Sequence, residues 1–282
     1  MSEPSAGIDA RTARRRFDRA APAYAAASRL EAEVGNRMLE RLDYLKIAPR
    51  TILDAGSGPS REARRLSRRY QKSGVIALDF SLAMLKSAER RLGFFKKKML
   101  LCGDLARLPL RAGSVDFIWC NMALHWVNDP LGALKEFGRV LCDGGLLMFS
   151  TLGPDTLKEL RVAAGAERVH RFIDMHDWGD MLVQAGFGAP VMDMELLTLT
   201  YPDAGILLAD LRSGGQASAR SDRARGLARK DFARRLRAAL QVERNVAFAA
   251  TYEVVYGHGW KAAPRKLADG RDIVEFRPRS LR

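Results

Sequence analysis

Three carboxylates stand at similar points in the first two-fifths of the chain, and each follows a short apolar run. Asp54 precedes Gly56-Ser57-Gly58, Asp79 comes 21 residues after Gly58, and Asp104 sits in Gly103-Asp104-Leu105. Glycine carries no Cβ and accepts positive φ, so Gly56 and Gly58 let the backbone approach a ligand at a strand-to-helix turn. The dinucleotide pattern G-x-G-x-x-G would need glycine at 61, which is Arg61, so the pyrophosphate fingerprint fails. Asp54 would also repel a phosphate. It suits an ammonium, held directly or through water, and S-adenosylmethionine has one. Asp79 is spaced to bind ribose hydroxyls, with a helix N-cap as its plain alternative. Asp104 can accept from the exocyclic amine of adenine, and its alternative is an ordinary turn acid.

These residues need elements to hold them. Thr51–Ala55, Val75–Asp79, Met99–Cys102, Val115–Leu124 and Leu146–Phe149 are short apolar runs. Between them lie Arg61–Tyr70, the stripe Leu82, Leu85, Ala88 and Leu92, and the stripe Leu131, Leu134, Phe137 and Leu141, all at helical spacing. Strands alternating with helices predict an α/β fold with a parallel sheet covered on both faces. Leu30, Val34, Met38, Leu39 and Leu42 predict a helix before the first strand, and Pro22 breaks or begins a helix upstream. Residues 153–188 read as helical and connecting, Val191–Tyr201 and Thr251–Tyr256 as strands, and 205–245 as helical. Ile273, Val274 and Phe276 suggest a short extra strand.

Lys and Arg number 47 against 33 Asp and Glu, a formal charge of +14. The 47% hydrophobic and 28% charged residues exclude a disordered or collagen-like chain. Cys102, Cys120 and Cys142 have no metal-ligand spacing and read as reduced core thiols, with no metal expected. No uncharged apolar stretch reaches the ~18 residues of a membrane span. Arg11, Arg14, Arg15 and Arg16 have no apolar run after them, and Glu3, Asp9 and Asp18 oppose a transit peptide. A cytoplasmic protein is expected. The charge is concentrated in 205–245, with ten Arg or Lys against four Asp or Glu.

From Thr51 to Leu152 the order of these motifs resembles the class I S-adenosylmethionine-dependent methyltransferases. Ser114-Val115-Asp116-Phe117-Ile118 continuing to Asn121-Met122-Ala123-Leu124-His125-Trp126 looks like their fourth-strand motif. Ser60 departs from the small Gly of many members, and is expected to crowd the cofactor slightly. The resemblance implies a Rossmann-like seven-stranded sheet with helices on both faces, an N-terminal helical cap and a helical lid insertion. The cap would be residues 1–48 and the methyltransferase domain 49–282, with the lid at about 203–248. The cofactor set would be Asp54, Gly56, Gly58, Asp79, Asp104, Leu105 and Asn121.

Four further blocks are Phe17–Tyr24, Ala123–Pro130, Phe149–Arg161 and Thr251–Trp260. Together they look like the malonyl-[acyl-carrier protein] O-methyltransferase family of biotin synthesis. Arg212-Ser213-Gly214-Gly215-Gln216-Ala217 departs from that family's Gly-Ala-Asn-type run. The resemblance implies methyl transfer to the free carboxylate of a malonyl thioester. That carboxylate is already ionised at pH 7, so no general base is needed. Donors or a cation must orient it; the candidates are Tyr24, His125 and Arg212, with Trp126 as a wall. Packing alone is the alternative for Tyr24 and His125, and Arg212 stands among many arginines. An acidic acyl carrier protein, or malonyl-CoA, is the implied partner. Arg220, Arg223, Arg225, Arg229, Arg234 and Arg235 form the pool of docking residues, against a merely solvated helical face.

Two rivals remain. An RNA methyltransferase suits the +14, but Asn121-Met122-Ala123-Leu124 is not the Asn-Pro-Pro-aromatic signature, and nucleic acid is not the expected partner. A methyltransferase-fold assembly factor without activity is the other, since such proteins share the Leu-His-Trp-Val-Asn-Asp block.

Overall fold

A computed structural model describes residues 7–92, 98–222 and 248–262. Helices α1 (Ala10–Ala20), α2 (Tyr24–Ala27) and α3 (Arg29–Leu42) come first. Then follow β1 (Thr51–Ala55), α4 (Arg61–Arg69), β2 (Gly74–Asp79), α5 (Leu82–Leu92), β3 (Lys98–Cys102), β4 (Val115–Asn121), α6 (Pro130–Val140) and β5 (Leu141–Leu152). The described chain closes with α7 (Lys158–Ala164), α8 (Met175–Gln184), β6 (Phe187–Tyr201), α9 (Ala204–Ser213) and β7 (Phe248–Lys261).

The strands form one seven-stranded sheet in the order β3-β2-β1-β4-β5-β7-β6. Strands β1 to β5 pair in parallel, whereas β7 runs antiparallel to both β5 and β6. The parallel sheet read from the first five runs is thus present in β1 to β5, and the antiparallel β7 makes the seven-stranded sheet mixed. Strand β5 is also longer than the run Leu146–Phe149. It begins at Leu141 and passes through Asp143-Gly144-Gly145, where positive φ at Gly144 and exposed residues hide its strand character.

Side-chain alternation sends residues of each central strand to opposite faces. On β4, Phe117 and Trp119 join one core, while Ile118 and Cys120 join the other. The first core takes Leu30, Val34, Met38 and Leu42 of α3, so the predicted stripe packs directly against the sheet. The second takes Leu134 and Phe137 of α6 with Trp178 and Leu182 of α8. Burying one such Leu or Phe side chain contributes roughly 1.5–3 kcal/mol. The strand order reverses at β1, which lies between β2 and β4, and ligands of doubly wound sheets bind beyond strand C-termini at that point.

Three expectations change. Cys102 is exposed at the end of β3 rather than buried, although Cys120 is a core residue. The helix predicted from 205 stops at Ser213, and the chain then turns back toward the N-terminal segment. Arg220 is 4% exposed and pairs with Asp222 at 2.6 Å while donating to the carbonyls of Ala166 and Val169. It holds the fold and is no docking residue. Arg223, Arg225, Arg229, Arg234, Arg235 and the proposed strand at 273–276 lie outside the described residues. Among those residues no helix is long and apolar enough to cross a membrane.

Candidate active site

The turn after β1 is built from backbone conformations that side chains resist. Gly56 has φ +77°, Gly58 +51° and Ser60 +57°. A Cβ on Gly56 would strike the side chain of Ala123. The N–H groups of Gly56 and Ser57 both donate to the Leu78 carbonyl, at 2.8 and 2.9 Å, which pins the turn to β2. Asp79 completes the join: Oδ2 accepts from Gly58 N–H and Oδ1 from Ser81 N–H, each at 2.8 Å. Burial raises the Asp79 carboxyl to about 6. The cap of α5 is Ser81, whose hydroxyl accepts from Met84 N–H.

A cavity of about 260 Å³ opens over this turn. Gly56, Gly58, Asp79, Asp104, Leu105 and Asn121 all line it. Asp54 does not: it is buried beneath the turn, with one carboxylate oxygen unpartnered. Burial, then nearby Glu62, holds its carboxyl well above the usual range. Asp54 therefore does not reach the cavity wall, which leaves contact through water as the remaining one of its two expected modes. Ser60 is fully buried and off the cavity wall, so its cost falls on the backbone and on an unpartnered hydroxyl, and it crowds no cofactor. The glycine cradle and the acids on successive strand ends fit an adenosyl ligand with a cationic amino-acid tail.

The rest of this wall comes partly from the blocks Phe17–Tyr24 and Ala123–Pro130, and partly from residues that no motif marked, such as Ala10, Ala13, Phe80 and Met84. Ala10, Ala13 and Phe17 of α1 cover the cavity. Ser81 donates to Asp18 at 2.6 Å, and Asn128 exchanges hydrogen bonds with Ile8 at 2.6 and 2.9 Å, so the N-terminal segment is tied down over it.

A second cavity of about 230 Å³ adjoins the first, and Phe17, Tyr24, Met122 and Trp126 line both. Met122 holds φ +55° at this junction, a strained conformation for a non-glycine residue. Tyr24, His125, Trp126 and Arg212, all singled out from sequence, lie on the second wall. Trp126 stacks edge-on against Phe17 at 4.9 Å and His170 at 5.0 Å, which fixes it as a wall. Burial lowers His125 to about 3 and His170 to about 4, so both rings are neutral at pH 7. Ala219 N–H donates to His170 Nε2 at 3.1 Å, which places the His170 proton on Nδ1. Burial likewise keeps the Tyr24 phenol protonated.

Glu31, Thr156, Arg168, His170, Gln216 and Tyr252 also line this cavity and were missed. They come from five separate segments, so no local spacing joins them. A partial signal existed in the blocks 149–161 and 251–260, which meet in space. Glu253 accepts from Asp155 N–H at 2.6 Å, and Glu159 accepts from the Thr251 hydroxyl at 2.5 Å.

The cavity pair can align a methyl donor with an acceptor beside Arg168 and Arg212. Its neutral, low-pKa histidines make poor general bases. Among the described residues no group of three His, Cys, Asp or Glu is arranged for a metal.

Comparison with known proteins agrees with this fold. A family model described as a methyltransferase domain matches residues 53–149. The chain is 49% identical to a malonyl-[acyl-carrier protein] O-methyltransferase of Methylovorus sp. (strain MP688), over 97% of this chain and 96% of that one. Among solved structures, the YcgJ protein of Bacillus subtilis shares the fold with a TM-score of 0.60 at 16% identity, covering 80% of this chain and 98% of that one. A phosphoethanolamine N-methyltransferase of Haemonchus contortus, in complex with S-adenosylhomocysteine, has a TM-score of 0.54 at 13% identity, covering 81% and 52%.

Proposed function

Since the chain belongs to the malonyl-[acyl-carrier protein] O-methyltransferase family, we propose that it esterifies the free carboxylate of a malonyl thioester at the junction of the two cavities. S-Adenosylmethionine supplies the methyl group: its S–CH3 bond breaks, with the electron pair going to sulfur, as a carboxylate oxygen forms the O–CH3 bond. Gly56, Gly58, Asp79, Asp104, Leu105 and Asn121 hold the donor, and Asp54 acts from behind the turn.

The observation that carries this reading is the shared wall of Phe17, Tyr24, Met122 and Trp126, with Arg212 and Arg168 on the acceptor side only. The cations draw the carboxylate in, and Tyr24 and His125 orient it as neutral groups. The acceptor is ionised at pH 7, so no base must act. Alignment in such a closed site contributes about 7–11 kcal/mol. The malonyl group arrives on an acyl carrier protein; that this partner is acidic and docks on the basic segment 205–245 is part of the proposal, as are a cytoplasmic location and a place in biotin synthesis.

Mass spectrometry of malonyl-carrier protein incubated with S-adenosylmethionine tests the reading. A gain of one methyl supports it, and no gain with any malonyl thioester overturns it.

A further inference from the structure

Glu31 has no role in the reading above, yet it stands in the first turn of α3 on the acceptor wall. Its Oε1 accepts from the Tyr24 hydroxyl at 3.5 Å and from the Gln216 amide. Its Oε2 is buried without a hydrogen-bond partner. Gln216 belongs to the run that departs from the Gly-Ala-Asn-type pattern, so the departure puts an amide on Glu31. Both partners aim hydrogens at Oε1. A proton on this carboxyl group therefore belongs on Oε2. Burial, with a smaller push from Asp210, holds the group above the usual carboxylate range. Tyr24 on α2, Asp210 on α9 and Tyr252 on β7 surround it, and Arg168, Arg212, His125 and His170 share its cavity. Because Tyr24 lines both cavities, Glu31 lies one hydrogen bond from the junction.

We propose that Glu31 is a neutral carboxylic acid whose Oε2–H donates to the non-reacting oxygen of the malonyl carboxylate, turning the other oxygen toward the methyl donor. The proposal rests on the malonyl-thioester reading. An acid in a site for an acid is repulsive only when both are ionised; with one proton between them they form a short, directional bond. The sign follows. The competent form is protonated, so kcat/KM is full at low Glu31 ionisation and falls as pH rises through its titration.

Kinetics with malonyl-CoA and with malonyl-carrier protein test this in the full chain. Glu31→Ala should raise KM about 10- to 100-fold, the size of one lost hydrogen bond to a charged group. Glu31→Gln keeps an oxygen for Tyr24 and Gln216 and puts its N–H2 in the place of Oε2. It should recover kcat/KM to within about threefold and abolish the alkaline fall. S-Adenosylhomocysteine affinity, by calorimetry, should stay unchanged in both, because Glu31 is off the donor wall. The proposal is overturned if Glu31→Gln is as impaired as Glu31→Ala, if Glu31→Ala matches wild type, or if the alkaline fall persists in Glu31→Gln. If Glu31→Ala does not fold, the Glu31→Gln profile decides alone. A wild-type enzyme inert toward every malonyl thioester overturns both this proposal and the functional reading.

Discussion

The two halves of the site are made of different materials. The donor half is backbone and strand ends: three successive C-termini, a turn of positive φ, and N–H groups locked onto Leu78 and Asp79. The acceptor half is side chains, gathered from residues as distant as Tyr24 and Tyr252. A donor shared by many enzymes can be held by what the sheet supplies anyway. A particular acceptor has to be recognised by groups that the sheet does not dictate. Damage to the first half should therefore be severe and should spread to the turn, whereas damage to the second should be confined to one ligand.

The largest effect should come from Asp79→Ala. It removes the proposed ribose acceptor and strands the Gly58 and Ser81 N–H groups, each worth about 1–3 kcal/mol when left unsatisfied. Affinity for S-adenosylhomocysteine should fall at least about 100-fold by calorimetry. The milder Asp79→Asn isolates the charge. With Asp79 titrating at about 6, donor affinity should weaken below that pH as the carboxylate is protonated, and Asp79→Asn should flatten the profile. The stability sign is opposite. A carboxyl raised from 3.8 to about 6 favours the folded state fully below the lower value and loses that contribution as pH rises through the upper one.

Arg212→Ala comes next. It should raise KM for the malonyl thioester about 10-fold and leave S-adenosylhomocysteine binding intact, since Arg212 lines the acceptor cavity alone. Equal loss of both ligands would break the contrast between the halves. A smaller effect concerns the approach of the partner. Raising salt should cut kcat/KM several-fold for malonyl-carrier protein and leave malonyl-CoA less affected. An identical response for both substrates would remove the basic segment from docking.

The smallest change should be Ser60→Gly. It relieves a left-handed backbone and removes a buried, unpartnered hydroxyl. A net gain of about 1 kcal/mol should raise Tm by about 2–4 °C. Unchanged donor affinity would confirm that Ser60 never touched the cavity.

The same division explains what could be read from sequence. The glycine turn, Asp79, Asp104 and Asn121 were legible because strand ends put them at fixed distances along the chain. Asp54 shared that spacing but faces inward, and spacing does not report facing at a strand's last turn. The antiparallel β7 was not legible, because Thr251–Tyr256 alternates alike in either direction. His170 and Arg168 sit in a stretch read as connecting, and Gln216 in one read as helical. Their roles arise from where distant elements meet. Arg220 was misread for the same reason: its charge is spent on Asp222 and two carbonyls.

The N-terminal segment and residues 217–221 are stitched together. Asp9 N–H donates to the Ala219 carbonyl and Ser221 N–H to that of Gly7, both at 2.8 Å, while Arg16 grips the carbonyls of Ala217 and Ser218. Helix α1 roofs the donor cavity, and 216–218 wall the acceptor cavity. The clasp is thus one piece of chain shared by both walls, and a substitution that loosens it, such as Arg16→Ala, should weaken both ligands together, unlike one confined to either wall.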